Sequence, residues 1–211
     1  MTGRGRTKGG TRSRLSGRRA AFFDRVAPLY DLCMWLWPSG DLARLLDLEA
    51  GALVLDAGGG TGRAVAGLGA GSAFSCVVYD CSEPMLQRCR RRGALSPVAG
   101  TVCALPFADG IFDAAVAAEA WHHFSCKDAA MRELLRVLRP GGRLLIEEPD
   151  VRRFAGRAVA WAERVGRLGS SFEDADAIRA RARALGARPA GESTGWLAVR
   201  LVVRKPVEPE G

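Results

Sequence analysis

Three glycines at alternate positions form a turn that is suited to holding a ligand against the main chain. Gly58, Gly60 and Gly62 follow an apolar run that ends at Asp56. Glycine adopts positive φ readily, and because it lacks a Cβ a ligand can approach its backbone closely. A second acid, Asp80, ends the next apolar run, where nucleotide-binding α/β folds hold a ribose. The spacing therefore predicts a ligand that carries a ribose.

The same spacing argues against a dinucleotide. The dinucleotide fingerprint is G-x-G-x-x-G, with its third glycine three positions after the second. Position 63 is Arg63, and the pattern instead reads acid-x-G-x-G-x-G.

Four motifs in this order resemble the class I S-adenosylmethionine-dependent methyltransferases. They are the turn 56–62, Asp80, Leu105-Pro106-Phe107 followed by Phe112-Asp113, and the segment 138–142. The resemblance runs from about Phe23 to Pro206, and the segment 23–31 looks like the start of the ubiquinone/menaquinone biosynthesis methyltransferases. It implies a Rossmann-like, doubly wound α/β sheet of seven strands with an antiparallel last strand and a helical N-terminal lid.

The resemblance also implies S-adenosylmethionine as cofactor. The turn 58–62 would accommodate its methionine part, with Thr61 offering a hydroxyl, and Asp80 can accept both ribose hydroxyls. This family usually has Gly-Asp-Ala after the third strand, whereas this chain has Gly100-Thr101-Val102. Adenine recognition then falls to the Thr101 hydroxyl and the Val102 backbone. The predicted cofactor-binding residues are Asp56, Gly58, Gly60, Thr61, Gly62, Asp80, Thr101, Val102 and Ala118, of which Ala118 contributes at most a backbone contact.

The chain's only two histidines follow the predicted fourth strand, where the methyl group would meet its acceptor. Methyl transfer from a sulfonium depends mainly on positioning, but a base near neutral pH would activate a phenol or the carbon beside it. His122 or His123 is therefore a candidate base, and since neighbours in an extended segment point to opposite sides, at most one faces the site. Both could equally serve packing or capping. Glu147 and Glu148 are competing bases.

The resemblance favours a small apolar acceptor, with C-methylation of a quinone-biosynthesis intermediate as the leading reaction. O- or N-methylation of a small molecule, a non-catalytic methyltransferase-like protein and an RNA-binding protein are the alternatives. Nucleic acid methylation is disfavoured, because residues 119–122 lack the Asn/Asp-Pro-Pro-Tyr/Phe motif and no cysteine follows a proline. A short segment, 151–171, would form the substrate wall, where three arginines bind an acidic group or face water: Arg152, Arg153 and Arg157.

Alternating strands and helices position these residues, as in a parallel sheet covered by helices on both faces. The apolar patterns predict strands at 52–56, 74–79, 97–102, 112–117, 142–148, 188–191 and 196–203, and helices at 62–69, 83–92, 126–138 and 173–185. The last strand alternates like an edge strand. Two short lid helices are predicted between Ala20 and Leu48, where Tyr30 and residues 35–37 either line an apolar pocket or pack in the core.

The charge is concentrated at the start of the chain. The net charge is +8, but residues 1–19 carry seven basic residues and no acid, which leaves 24 basic and 23 acidic residues in the rest. We expect residues 1–19 to be a disordered basic tail, 20–206 one methyltransferase domain and 207–211 a C-terminal tail. A solvated tail is favoured over an arm that binds RNA or anionic lipid.

Six scattered cysteines show no metal-binding spacing, and no segment is apolar enough to span a membrane. They are Cys33, Cys76, Cys81, Cys89, Cys103 and Cys126, and we expect reduced, mostly buried thiols and no metal. We expect a soluble, cytoplasmic protein without a stable nucleic acid partner. A lipophilic substrate would bring peripheral membrane contact.

Overall fold

A computed structural model describes residues 42–66, 74–93, 95–165, 170–195 and 197–207. The predicted tail 1–19, the lid residues up to position 41, Cys33 and residues 208–211 lie outside these ranges. The helices are α1 Leu42–Leu46, α2 Arg63–Ala66, α3 Glu83–Arg92, α4 Lys127–Val137, α5 Phe154–Val165 and α6 Ala175–Arg183. The strands are β1 Leu53–Ala57, β2 Ser75–Asp80, β3 Ser96–Ala99, β4 Phe112–Ala118, β5 Leu138–Pro149, β6 Arg188–Thr194 and β7 Ala198–Arg204.

The seven strands form one sheet in the order β3-β2-β1-β4-β5-β7-β6, which confirms the predicted fold class. Strands β1 to β5 pair in parallel, and β7 pairs antiparallel to both β5 and β6. Two apolar clusters cover the two faces of the sheet. Because the chain order reverses at β1 and β4, the crevice between their carboxyl ends is the expected ligand site.

The prediction that the last strand lies at the edge is wrong. Six of the seven residues of β7 are buried, because the strand lies between β5 and β6. The edge strand is β6, whose residues are almost all exposed. The alternating pattern of β7 predicted an edge strand because a charged residue such as Arg200 usually faces solvent. Arg200 is instead buried in an ion pair with Glu147.

The predicted helices at 83–92, 126–138 and 173–185 match α3, α4 and α6 within two residues at each end. Ser82 caps α3, its hydroxyl accepting from the amide of Met85 at 3.5 Å, and Asp174 caps α6. The sequence did not predict α5, which occupies more than half of the segment 151–171. Residues 121–123 form a turn of 3₁₀ helix and not an extended segment.

The Leu-Pro-Phe motif is held by one arginine of α4. Arg136 donates to the carbonyls of Leu105 at 3.0 Å and Phe107 at 2.8 Å, and it pairs with Glu133. Glu133 in turn accepts from the amide of Leu105 at 2.7 Å. Hydrogen bonds with the Glu133 carboxylate raise the pKa of Arg136, and those bonds from Arg136 lower the pKa of Glu133. This pair fixes the loop that connects β3 to β4.

Two of the cysteines are not reduced thiols, contrary to the prediction. Cys103 and Cys126 form a disulfide with their Cα atoms 5.8 Å apart, which ties the loop after β3 to the residue before α4. Cys76 and Cys89 are buried free thiols as expected, whereas Cys81 is exposed. Burial raises the pKa of Cys89 to about 11, so that thiol is unreactive at neutral pH. Across the described residues, no helix has the length and apolar character needed to cross a membrane.

Candidate active site

The glycine turn after β1 is folded by main-chain hydrogen bonds to β2. The amide of Gly58 donates to the carbonyl of Tyr79 at 2.7 Å, and the amide of Gly62 donates to that of Gly59 at 2.8 Å. The amide of Gly60 donates to the Asp80 carboxylate at 2.9 Å. The structure therefore brings the predicted turn and the predicted ribose acid into direct contact.

Two positions of the turn are suited to glycine for different physical reasons. Gly58 has φ +72°, and a Cβ there would lie 2.7 Å from the Cβ of Ala120, so a side chain has no space. Gly60 has φ +54°, but among the described residues a Cβ there would meet only Asp80, at 3.9 Å. Within the described part of the chain the space beside Gly60 is therefore open, and a ligand can lie against this main chain.

Asp80 uses both carboxylate oxygens to join the turn to the start of α3. One accepts from the amide of Gly60, and the other accepts from the amide of Ser82 at 2.7 Å. Burial raises the pKa of Asp80, while these hydrogen bonds lower it. A carboxylate offers about four lone-pair sites, so acceptor capacity remains for a ligand's hydroxyl groups.

Asp56 lies beneath the turn and is nearly inaccessible. Its Oδ2 atom is buried without a hydrogen-bond partner among the described residues, and a Cβ at Gly59 would lie 2.4 Å from its carboxyl group. Burial, and secondarily the negative charge of Asp80, raise the pKa of Asp56 to about 7, against the opposing charge of Arg63. Asp56 is therefore a buried carboxyl group beneath the glycine turn, and it does not reach the open side of Gly60.

The predicted adenine contacts lie in the loop after β3. The amide of Gly100 donates to the carbonyl of Asp80 at 2.9 Å, which keeps this loop beside β2. Thr101 is exposed, and its hydroxyl accepts from the amide of Cys103 at 3.4 Å. Val102 is partly buried against the core, and the disulfide begins at the next residue.

Buried Thr61 and partly buried Ala118 complete the predicted cofactor residues. The Thr61 carbonyl accepts from Arg92 Nε at 2.9 Å, so α3 also supports the turn. Ala118 ends β4 and pairs with Glu147 across the sheet. These contacts put both residues at the same edge as Asp80.

An acid and an arginine that the sequence analysis did not assign to the site join the turn to the end of β4. Arg63 and Glu119 form an ion pair at 3.3 Å, and Glu119 has φ +54°, a conformation that costs free energy for a non-glycine residue. Burial raises the pKa of Glu119 to about 8, with Arg63 opposing and Glu147 adding to the shift. Two sequence signals pointed here: an acid ending an apolar strand, and an arginine where the dinucleotide fingerprint has glycine.

The site suits a ligand that carries a ribose and positive charge. Asp56, Asp80 and Glu119 are three carboxyl groups with raised pKa values, and Arg63 is the cation paired among them. A cation bound beside them would favour their ionised forms. The open side of Gly60, the unpaired Asp56 oxygen and this excess of acids fit S-adenosylmethionine, which carries a sulfonium and an ammonium group.

The two histidines do not point to opposite sides, so that prediction is wrong. The 3₁₀ turn brings their rings into contact, with centroids 4.0 Å apart. His122 is only 2% exposed and stacks on Phe172, with centroids 4.5 Å apart. His123 is partly exposed, and its Nδ1 lies 3.2 Å from the Ser170 hydroxyl. The two rings therefore occupy different environments despite their contact.

The two glutamates at the end of β5 have different partners. Glu148 lies 2.8 and 2.9 Å from Nδ1 of His122, and both side chains are buried. Because a carboxylate accepts, this contact assigns a proton to Nδ1. Glu147 instead forms a buried ion pair with Arg200 of β7.

Residues 55–146 match a methyltransferase domain family. A demethylmenaquinone methyltransferase of Mycobacterium sp. (strain KMS) is 34% identical over 200 residues, which cover 86% of each chain. A demethylmenaquinone methyltransferase of Beutenbergia cavernae is 41% identical over 137 residues. That match covers 61% of this chain and 57% of the relative, so the chain spans less than two thirds of that relative's length.

The same fold occurs in solved structures. An S-adenosylmethionine-dependent methyltransferase from Thermotoga maritima superposes with a TM-score of 0.73 and 22% sequence identity. The superposition covers 89% of this chain and 99% of that structure.

Proposed function

Because this chain belongs to the class I S-adenosylmethionine-dependent methyltransferases, we propose that it transfers a methyl group from that cofactor to a small acceptor. The main support for this proposal is the contact between the glycine turn and Asp80, with open space beside Gly60 in the described part of the chain. S-adenosylmethionine supplies an electrophilic methyl group on a sulfonium. The protein's tasks are to bind it, to hold the acceptor in line and to prepare the acceptor's electrons.

We propose that cofactor binding is divided among the strand ends. Asp80 accepts from the ribose hydroxyls, the Gly58–Gly62 backbone lies along the methionine part, and the Thr101–Val102 loop borders the adenine. Glu119 and Arg63 offer opposite charges to the amino and carboxylate groups of the methionine part, a role that their ion pair supports. Asp56 adds negative charge from below.

We propose that His122 is the acceptor's base and that Glu148 positions it. The Glu148 carboxylate fixes the proton on Nδ1, so the neutral ring carries its basic lone pair on Nε2. The ring is also held by stacking on Phe172, while the amide of Ser171 donates to the carbonyl of His122 at 2.8 Å. A fixed tautomer and a buried ring suit proton abstraction near neutral pH.

The other two candidate bases have less suitable surroundings. Glu147 is tied to Arg200, and a carboxylate that is paired with a guanidinium is a weak base. His123 is more exposed, and its Nδ1 lies 3.2 Å from the Ser170 hydroxyl. We therefore assign Glu147 a structural role and keep His123 as the alternative base.

We propose demethylmenaquinone, in its reduced hydroxyl-bearing form, as the acceptor and ring carbon as the methylated atom. The names of the Mycobacterium and Beutenbergia relatives support this choice. Removing a proton from the ring hydroxyl raises the electron density of the adjacent carbon, which is the chemistry that a histidine base would assist. We further propose that the protein acts in the cytoplasm, without a stable nucleic acid partner.

The test is methyl transfer with a defined acceptor. Purified protein is incubated with radiolabelled S-adenosylmethionine and chemically reduced demethylmenaquinone, and the extracted lipid is analysed by mass spectrometry. We expect label in a product that is heavier than the acceptor by one CH2 unit, about 14 mass units, with the new methyl group on a ring carbon. A methyl ether as product would assign O-methylation. The same assay is repeated with a fractionated cell extract as the source of acceptor. Cofactor binding without label in the lipid or in any extract fraction would contradict the enzyme proposal.

A further inference from the structure

We propose that the outer face of α5 is a docking surface for an anionic lipid bilayer. The face consists of Phe154, Arg157, Ala158, Trp161 and Arg164, which recur at helical spacing and are all exposed. Phe154 is 89% exposed and Trp161 68% exposed, the highest values among the large hydrophobic side chains of the described residues. Exposing two aromatic rings on one helix face is unfavourable in water, so this face is suited to contact with another phase or molecule.

The opposite side of α5 is anchored to the sheet. Gly156 is buried, and a Cβ there would lie 2.1 Å from the carbonyl oxygen of Asp150, so the first turn packs directly on the end of β5. The buried Asp150 accepts from the amide of Arg152 at 3.1 Å and pairs with Arg153 at 3.2 Å. The first turn of the helix is thus fixed to the end of β5, while Phe154 and Trp161 are exposed.

The charge around the aromatic face is complementary to an anionic surface. Between residues 152 and 164 the sequence has four arginines and one acid, Glu163. Arg157 and Arg164 flank the two aromatic rings on the outer face. At the start of the helix, Arg153 pairs with Asp150 and Arg152 lies 3.8 Å from both Asp150 and Asp176, so Arg157 and Arg164 carry the positive charge of this face. Arginine keeps its guanidinium among headgroups while its stem lies along apolar surface.

Aromatic rings beside arginines on the side of a helix are typical of helices that lie in a membrane interface. Tryptophan and phenylalanine enter the boundary between headgroups and acyl chains, and arginines bind the anionic headgroups above it. The described structure offers no second patch of this kind, since the other strongly exposed hydrophobic residues, Ile111, Leu185 and Val207, lie on separate elements.

The docking surface adjoins the candidate active site. Helix α5 begins six residues after Glu148, and Asp150 connects the end of β5 to the first turn of the helix. A bilayer bound to this face would therefore lie near the carboxyl edge of the sheet. This proximity would let an acceptor dissolved in the bilayer enter the site directly, a step that rests on the proposed function, whereas the lipid contact itself does not.

The experiment measures binding of the full chain to lipid vesicles without any substrate. Vesicles of phosphatidylglycerol and phosphatidylcholine are compared with phosphatidylcholine alone by co-sedimentation at fixed ionic strength. The test variants are Phe154→Ser/Trp161→Ser and Arg157→Gln/Arg164→Gln. The matched controls remove the same kinds of group elsewhere: Ile111→Ser/Val207→Ser, and Arg91→Gln/Arg183→Gln. All of these side chains are exposed, and thermal melting checks that each variant is folded.

We expect the full chain to bind only the anionic vesicles. The aromatic variant should lose at least tenfold in partitioning, and the arginine variant roughly 10- to 30-fold, since each basic residue near an anionic surface changes partitioning about fivefold. The controls should stay within about threefold of the unaltered chain. Equal losses in test and control variants would overturn the proposal. Anionic binding that survives in both test variants would overturn it and assign binding to another basic segment, such as residues 1–19. Absence of binding by the full chain to anionic vesicles would overturn it as well.

Methyltransferase activity on a water-soluble acceptor analogue separates the two proposals. The aromatic variant should keep that activity and lose activity only when the acceptor is presented in vesicles. Loss of vesicle binding together with unaltered activity on vesicle-borne acceptor would contradict the delivery step.

Discussion

The main-chain amide of Gly60 donates to Oδ2 of Asp80 at 2.9 Å, so the acid that ends β2 holds the turn that follows β1. The other oxygen of the same carboxylate holds the start of α3. Asp80 therefore serves as a structural link between three elements before any ligand binds, and its proposed ribose contact adds to that role. Its loss should affect stability and cofactor affinity together.

Asp80→Ala should weaken binding of S-adenosylmethionine by roughly 1.5–3 kcal/mol, the usual cost of a lost hydrogen bond to a charged group. Ser82→Ala is the matched control, because it removes the helix cap, which costs about 1 kcal/mol of stability, and leaves the carboxylate in position. Calorimetric titration measures affinity, and denaturant unfolding measures stability. Equal affinities in the unaltered protein and Asp80→Ala would mean that the ribose lies elsewhere.

Cofactor affinity should rise with pH between about 6 and 8.5. The pKa of Asp56 is about 7 and that of Glu119 about 8, so both are partly protonated in this range. S-adenosylmethionine has a net positive charge near neutral pH, so it should favour their ionised forms and release protons on binding. Calorimetry in buffers of different ionisation enthalpy counts the protons. S-adenosylhomocysteine lacks the sulfonium and should show a shallower dependence, and Glu119→Gln should flatten the part above pH 7; a flat profile for both ligands would contradict the assignment.

The same two groups predict how the ligand-free protein responds to pH. Unfolded carboxyl groups ionise near pH 4, whereas in the folded protein these two hold their protons to about pH 7 and 8. The folded state therefore binds more protons than the unfolded state in this window. By linkage, their contribution to the free energy of unfolding falls as pH rises from about 4 to 8. Urea unfolding of the unaltered protein and of Glu119→Gln measures it, and the variant should lose less stability over the upper half of the window.

Local sequence patterns predicted most of the fold and identified residues that meet at the carboxyl ends of β1 and β2. The glycine turn and Asp80 were identifiable because strand ends, glycines and acids leave a pattern over a few residues. The edge position of the last strand was wrongly predicted because Arg200 is neutralised by Glu147, a residue 53 positions away. Long-range pairing of this kind has no local signal.

The catalytic side shows the same limit. The pairing of Glu148 with His122, and that of Arg63 with Glu119, joins residues 26 and 56 positions apart. The contact between the two histidine rings arose from a 3₁₀ turn where the sequence suggested an extended segment. The disulfide between Cys103 and Cys126 was missed because cysteine spacing alone cannot reveal which thiols meet in space.

Reduction of that disulfide should lower the free energy of unfolding by about 2–4 kcal/mol, the usual range for a bridge that closes a loop of this length. The measurement is urea unfolding with and without dithiothreitol. Cys103→Ala/Cys126→Ala should be insensitive to the reductant, and Cys81→Ala, which alters an exposed cysteine outside the disulfide, should respond like the unaltered protein. Mass spectrometry after alkylation of the unreduced, unfolded chain should find Cys103 and Cys126 without the alkyl group. Alkylation of Cys103 and Cys126 in this experiment would contradict the bridge. A confirmed bridge would argue against the proposed cytoplasmic location, because stable disulfides are typical of oxidising compartments.

Glu148→Gln should lower kcat about 10- to 100-fold and leave S-adenosylmethionine affinity nearly unchanged, because the carboxylate orients His122 without being proposed to contact the cofactor. The neutral amide no longer stabilises the protonated ring, so the acid limb of the kcat profile should move to lower pH. Glu192→Gln changes an acid of the edge strand β6, which pairs with Arg179, and serves as a control. A lower kcat with an unmoved acid limb would assign Glu148 a purely structural role.

His122→Gln should lower kcat about 10²–10⁴-fold, which is the contribution expected of a general base, while the cofactor still binds. His123→Gln should retain kcat within a few-fold, because its ring is more exposed and its Nδ1 lies beside the Ser170 hydroxyl. Rates of both variants from pH 6 to 9, together with cofactor affinities by calorimetry, make the comparison. If His123→Gln has the larger loss, the roles of the two histidines are reversed. If both variants keep near-full activity across this range, neither ring is the base, and positioning of the acceptor supplies the rate.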